Sequence, residues 1–350
     1  MSKYLDQNVL ITGGAGFVGS NLAHFLVNQG AKVTIVDNFH PEYGGNEHNL
    51  TEIKNKIELI RFNIVDRQKT KDLIISSKPN WVFHIAAQCS HVDSMIDPFF
   101  DVEYNSIGTL AVLEGCKALS KETGRSPIIV YAGTRAMIGQ PLERPAKETT
   151  LPNPTDVYGV NKLAAEWYGA VYARVHQIPF VSLRLTNSFG PRHQMKNGKY
   201  GILNWFISLA LQNKPITVYG KGEQLRDYLY ITDAVEAFAK AGEFGLRLVN
   251  KEVSDPTVQL SGPSIPFATF NIASGRAMPF GDAVKAVTGR TNTPLQEIPW
   301  PADRKAIETG DFVADCSAAA KHLNWTPKVS YEDGLDQTIA FYREHLKHYI

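Results

Sequence analysis

Val9-Leu10-Ile11-Thr12-Gly13-Gly14-Ala15-Gly16-Phe17-Val18-Gly19 is the stretch that decides the fold. Its apolar start, cut off by glycine, reads as a buried strand. Leu22, Phe25 and Leu26 then recur at the spacing of one helix face packed on a sheet. The spacing between is Gly13-x-x-Gly16-x-x-Gly19. The first glycine permits a tight turn, the second a close approach of a pyrophosphate, the third close packing of helix on strand. The helix opens with Phe17 and Val18, and its N-terminus favours diphosphate charge. The next strand candidate, 32–36, ends on Asp37-Asn38. A carboxylate there accepts hydrogen bonds from ribose hydroxyls and repels a 2′-phosphate, so the expected cofactor is NAD, not NADP.

The alternation continues outward. Apolar runs at 57–62, 81–86, 128–132 and 180–185 read as strands, with helical stretches at about 98–119 and 158–175. Strands separated by helices call for parallel pairing with right-handed crossovers, hence an α/β fold built on a doubly wound parallel sheet. Past residue 186 the pattern loosens, and Pro and Gly become frequent. This divides the chain into 1–185, carrying the dinucleotide turn, and 186–350, a smaller α/β lobe with some segments returning to the first part. Residues 250–268 lack periodicity and read as a surface insertion.

Composition excludes several classes. The 350 residues are 43% hydrophobic and 20% charged, with net charge +1. That fits a soluble globular protein and gives no electrostatic case for nucleic acid or a membrane surface. No stretch is long enough to span a bilayer, and the first apolar run is broken too early for a signal peptide. Cys89, Cys116 and Cys316 are scattered, which argues against a disulfide framework or zinc site and for a reducing, cytoplasmic setting. His84, His91, His176 and His193 lack metal-ligand spacing, so no metal is expected, and His84 reads as structural.

The second chemical signal is Tyr158-Gly159-Val160-Asn161-Lys162. It sets a phenol and an ammonium one helical turn apart, after a capping segment, Pro154-Thr155-Asp156. A phenol is a weak base at its ordinary pKa of about 10. A neighbouring ammonium and a positive nicotinamide ring both favour phenolate.

Together these motifs resemble the extended short-chain dehydrogenase/reductase superfamily, in its nucleotide-sugar epimerase and dehydratase branch, which includes the UDP-glucose 4-epimerases. Further matching segments are His84-Ile85-Ala86-Ala87, Asn105-Ser106-Ile107-Gly108-Thr109, Leu183 to Arg192, Gln224 to Tyr228, Phe270 to Gly275 and Asp303-Arg304-Lys305. The resemblance implies a modified Rossmann domain, a C-terminal lobe holding a nucleotide-diphosphate sugar, and a homodimer joined through helices 98–119 and 158–175. It adds Ala86, Ala87, Asn105, and Asn63 with Ile64, to the NAD site. It adds Gln88, Asn187, Tyr219, Arg226 and Arg304 to the sugar-nucleotide site; the two guanidiniums suit a diphosphate. Asn63 stands where the family usually has an Asp for adenine, and its amide oxygen can still accept from the adenine amino group.

Within the family the chemistry turns on the segment after the fifth strand. Thr134 falls at the third catalytic position, usually Ser or Thr, beside Tyr158 and Lys162. The 4,6-dehydratases carry Asp-Glu next, and the related decarboxylases a Glu, whereas this chain has Arg135-Ala136. The resemblance therefore points to an NAD-dependent epimerase that oxidises a sugar carbon transiently, at C4 first and C2 second, and returns the hydride to the other face. Net reduction or dehydrogenation of a nucleotide-sugar, 4,6-dehydration and a non-catalytic NAD-binding regulator are the alternatives. Gln88-Cys89-Ser90-His91 is not the loop of the UDP-galactose 4-epimerases and looks closer to the dehydratases and the CDP-sugar 2-epimerases, and 201–206 also resembles the CDP-sugar 2-epimerases.

Overall fold

A computed structural model describes residues 2–253, 265–302, 305, 308 and 310–350. Strand β1 (Asn8–Thr12) runs into the glycine turn and helix α1 (Phe17–Asn28), followed by β2 (Lys32–Asp37) and β3 (Ile57–Arg61). After α2 (Arg67–Ser77) comes β4 (Trp81–His84). Helices α3 (His91–Ile96), α4 (Pro98–Val102) and α5 (Gly108–Thr123) lead to β5 (Ile128–Thr134), with a wide turn, Glu103–Ile107, between the last two helices. Helix α6 (Val157–His176) precedes β6 (Phe180–Leu185). The order β3-β2-β1-β4-β5-β6 is parallel throughout, as the alternation predicted.

Because strand side chains alternate, β1 feeds two cores at once. Val9 and Ile11 join Leu22, Leu26 and Phe83 on one face. Leu10 joins Ile74, Val82 and Val112 on the other.

The chain beyond β6 adds β7 (Asn187–Phe189), α7 (Ile202–Leu211), β8 (Ile216–Tyr219), β9 (Leu225–Tyr230) and α8 (Ile231–Val249). Then come β10 (Phe267–Ile272), β11 (Ala277–Pro279), α9 (Phe280–Thr291) and β12 (Leu295–Ile298). Small sheets β11-β9-β7 and β12-β8 build the second wall of the cleft. Strand β10 takes the last two residues of the expected insertion at 250–268, Phe267 and Ala268, into the main sheet. It lies parallel to β6 with Phe267 against Phe180, fully buried, as the seventh strand of the main sheet. Thr269 and Asn271 hid it from a hydrophobicity reading. Inside, Thr269 donates to Glu166 at 3.2 Å and Asn271 to the Ala146 carbonyl at 3.0 Å. Residues 254–264 of that stretch lie outside the described residues.

Helix α6 is fixed from beneath. Buried Glu166 receives the Arg184 guanidinium at 2.5 and 3.1 Å and the Ser182 hydroxyl at 2.6 Å, tying α6 to β6. The outer face of α6 shows Val160, Trp167, Val171 and Val175 to solvent, next to Ile96 and Phe99 of α3 and α4. Among the described residues no helix is long and apolar enough to cross a membrane.

Candidate functional site

The main sheet reverses its order between β1 and β4, where α/β sheets open a crevice at their carboxyl ends. Here that crevice is a cleft of about 680 Å³, bounded on the far side by the second wall. Gly13, Gly16, Phe17 and Val18 line it from the glycine turn, Asp37 and Asn38 from β2, Asn63 and Ile64 from the end of β3, Ala86 and Ala87 from β4.

Gly13 has φ +67°, and a Cβ there would stand 2.7 Å from the Ala86 Cα. The turn needs glycine for both reasons. Gly19 does not line the cleft; a Cβ on it would press on the Gly13 carbonyl, so its part is helix-to-strand packing. Gly16 precedes α1 without a side-chain cap, which leaves the first-turn N–H groups facing the cleft for an anion. Asp37 is buried and accepts from the Ala15 N–H at 3.0 Å and the Phe39 N–H at 2.9 Å. Burial pushes its carboxyl up, and these N–H groups pull it back. This cradle fits a dinucleotide with free ribose hydroxyls.

At the outer end Asn63 donates to the Tyr104 hydroxyl at 2.8 Å, and its oxygen accepts from Val65 N–H at 3.2 Å. The oxygen expected to meet adenine thus also closes a local turn. Tyr104 accepts from Asn38 as well, at 3.3 Å; nothing in its sequence setting marked it.

Thr134, Tyr158 and Lys162 meet in the middle of the cleft, delivered by the end of β5 and the first turns of α6. The Thr134 side chain lies close enough to the Tyr158 phenol to act on its protonation. Burial holds that phenol far above its ordinary value, Cys89 adds to this, and Thr134 pulls the other way. Lys162 therefore does not by itself bring the phenol toward neutrality, as the spacing suggested. The lysine is nearly fully buried, 4.2 Å over the Tyr131 ring. Burial lowers its pKa to about 7, against the pull of Cys89, Asp101 and Glu166. His84 lies deeper, between the Thr12 and Thr109 hydroxyls at 2.7 and 3.0 Å, and burial lowers it to about 3.

Besides Gly19, two expected residues do not reach the cleft. Gln88 is buried and folds back on Ser90, donating to its carbonyl at 2.9 Å and accepting from its N–H. Asn105, also buried, donates to the Gln88 carbonyl at 3.0 Å and braces that loop from α5's side. Their neighbours Cys89 and His91 line the cleft instead.

On the second wall Asn187, Tyr219 and Arg226 do line it. Asn187 donates to the Asp227 carbonyl at 3.0 Å, and Tyr219 packs 5.4 Å from the Trp300 ring. Arg226 donates to the Leu225 and Gly310 carbonyls at 2.9 and 2.7 Å and forms an ion pair with Glu308. A diphosphate there has to compete with Glu308. Arg304 lies outside the described residues. Arg135 is buried with its guanidinium 5.5 Å over the Phe312 ring; burial and then Arg226 lower it to about 10.

The mouth is bridged by contacts that no sequence pattern announced. Lys199 reaches Glu42 at 3.4 Å and Asp93 at 3.3 Å, and the Tyr43 hydroxyl donates to Asp93 at 3.4 Å.

Comparison with known proteins agrees with this architecture. The chain is 28% identical to the UDP-glucose 4-epimerase of Mycolicibacterium smegmatis, over 96% of this chain and 99% of that one. It is 29% identical to UDP-glucuronic acid decarboxylase 1 of Xenopus tropicalis, over 99% of this chain and 75% of that one. Among solved structures, the UDP-glucose 4-epimerase of Thermus thermophilus in complex with NAD superposes with a TM-score of 0.79 at 27% identity, covering 96% of this chain and 98% of that one. Epimerases and decarboxylases are equally similar, so similarity alone leaves the reaction open. Residues 9–253 match the model of the NAD dependent epimerase/dehydratase family, and the chain belongs to that family, with NAD as its cofactor.

Proposed function

We propose that this protein is an NAD-dependent nucleotide-sugar epimerase that inverts a ring carbon, C4 first and C2 second, through transient oxidation. The observation that carries the reading is the Thr134–Tyr158 hydroxyl pair, followed in sequence by Arg135 and Ala136. Loss of water or of carbon dioxide in the relatives' manner calls for a carboxylate at that place, and none stands there.

NAD, when bound, would supply the redox half as acceptor and donor of the carbinol hydride. The glycine turn, Asp37 and the first turn of α1 hold the dinucleotide. Tyr158 takes the hydroxyl proton as general base and returns it as general acid. Thr134 holds the sugar oxygen beside the phenol. Lys162 charges readily when a negative group arrives, because its pKa is about 7. A phenolate or a bound ribose then recruits its ammonium. Arg226, freed from Glu308, takes the diphosphate on the wall that also carries Asn187, and Tyr219 faces the base; Arg304 is the second guanidinium the sequence offers for the diphosphate. Positioning supplies much of the acceleration.

The 1–185 and 186–350 division assigns cofactor to the first part and sugar nucleotide to the second. The exposed apolar face of α3, α4 and α6 supports a homodimer, and the unpaired, scattered cysteines support a cytoplasmic setting.

The test is a mass-resolved incubation, without added cofactor, against UDP-, GDP-, CDP- and dTDP-sugars. A new product of unchanged mass, absent with Tyr158→Phe, is expected. Loss of water or carbon dioxide overturns the reading. Turnover that needs supplied NAD(H) and changes the mass by two hydrogens replaces it with a dehydrogenase.

A further inference from the structure

One acid–base arrangement in the cleft has no part in the scheme above. His91, at the start of α3, points Nδ1 at the Asp156 carboxylate, 2.5 Å away. Asp156 is the N-cap of α6, accepting the Gly159 N–H at 2.8 Å, and its side chain is almost wholly buried. The carboxylate is therefore fixed by the same helix that carries Tyr158. The His91 ring stands edge-on to the Tyr158 ring, with centroids 5.2 Å apart at 77°. His91 lines the cleft with 32% of its side chain exposed, and among the described residues its Nε2 has no partner.

A carboxylate on Nδ1 places the proton there and leaves Nε2 as a lone-pair base, and it stabilises the imidazolium once formed. Burial pushes the Asp156 carboxyl up, but His91, the Gly159 N–H and Arg135 outweigh it and hold it below its ordinary value. It is thus an anion at neutral pH, suited to orient a base.

We infer that His91, oriented by Asp156, is a second acid–base residue of this cleft, acting on the C–H bond next to the transient ketone. The inference rests on the oxidative reading above, since only a ketone makes that hydrogen acidic. The oxidant is the bound NAD. In the step, the C–H bond breaks and its proton moves to Nε2. Its electron pair forms a carbon–carbon double bond as the carbonyl becomes an enolate. Reversal returns a proton from Nε2, which solvent can replace meanwhile. The substrate class is therefore a nucleotide-sugar with a hydrogen on a carbon adjacent to the oxidised one. The site supports exchange or inversion there without a carboxylate after Thr134.

The test is turnover in deuterium oxide by the protein with its NAD. UDP-glucose, UDP-glucuronate, dTDP-glucose, CDP-glucose and GDP-mannose are the probes, with mass and proton spectra of the recovered sugars. Carbon-bound deuterium next to the oxidised carbon is expected. It should fall at least 100-fold in His91→Gln and at least 10-fold in Asp156→Asn, which keeps the helix cap. The His91→Gln melting temperature and NAD affinity serve as the check on folding. An epimer free of deuterium, or label entering His91→Gln at the parent rate, overturns the role of His91 and leaves epimerisation standing. Label without inversion at the oxidised carbon supports His91 and overturns the epimerase reading. Neither label nor product, from protein shown to bind both NAD and the probe, overturns both.

Discussion

Lys162 shows how far a residue's setting can move its chemistry. The unfolded chain binds its proton up to about pH 10.4, whereas burial brings the folded value to about 7. Between those limits the unfolded state holds a proton that the folded state lacks, so this residue makes stability rise with pH. Below about pH 7 both states are protonated, and the full cost of a buried ammonium remains. Lys162→Met should remove that rise. Urea midpoints of NAD-stripped protein at pH 6.5 and 9 check it: the variant should gain most at the lower pH, and a pH-independent difference refutes the assignment. Asp37 makes a second prediction at this scale. Its carboxylate faces the ribose end of the cleft with two N–H bonds already made. Asp37→Ser should weaken NAD and narrow the gap to NADP, read as the ratio of their dissociation constants. An unchanged ratio means that another group excludes the 2′-phosphate.

Among elements, the strand–turn–helix unit from β1 to α1 was fully legible, because its signals are local. A short apolar run, three glycines at fixed spacing and an i, i+3, i+4 stripe each constrain backbone within a few residues. Gly13→Ala should be costly here. An alanine at positive φ loses on the order of 1–2 kcal/mol, and its Cβ meets the Ala86 backbone. The expected outcome is a folded protein of lower melting temperature with NAD affinity reduced by at least tenfold. Near-parental NAD affinity would show that the turn relaxes around the methyl. Strand β10 and the Gln88 loop were not legible, for a shared reason. Thr269, Asn271 and Asn105 are buried polar residues whose partners come from other segments, and the Gln88 loop that Asn105 braces is buried with it. Hydrophobicity along the chain carries no trace of such pairings.

At the scale of the molecule, the second half of the chain closes back on the first. The Tyr349 hydroxyl donates to Asn49 at 2.8 Å, and Asn49 donates to the Ala15 carbonyl at 2.9 Å. The last residues thereby brace the glycine turn from behind. The face of α3, α4 and α6 is the open side of this body. Trp167 is 47% and Phe99 84% exposed, and this apolar face is where the proposed homodimer would pair. Trp167→Glu should shift sedimentation from dimer toward monomer. Parental protein that sediments as a monomer at micromolar concentration removes the homodimer from the proposal.

The sequence alone determined the parallel α/β class, the dinucleotide turn, the acidic residue at the ribose end and the Tyr158–Lys162 helix. Each of these is written in the spacing of neighbours along one strand or one helical turn. Only the tertiary structure decided which side chains share the cleft. It took Gln88 and Asn105 out of it, set Glu308 on Arg226 and returned 267–272 to the main sheet. It also joined His91 to Asp156, 65 residues apart. Such pairings depend on strand order and helix placement, which are set by burial of the whole chain and not by any local pattern.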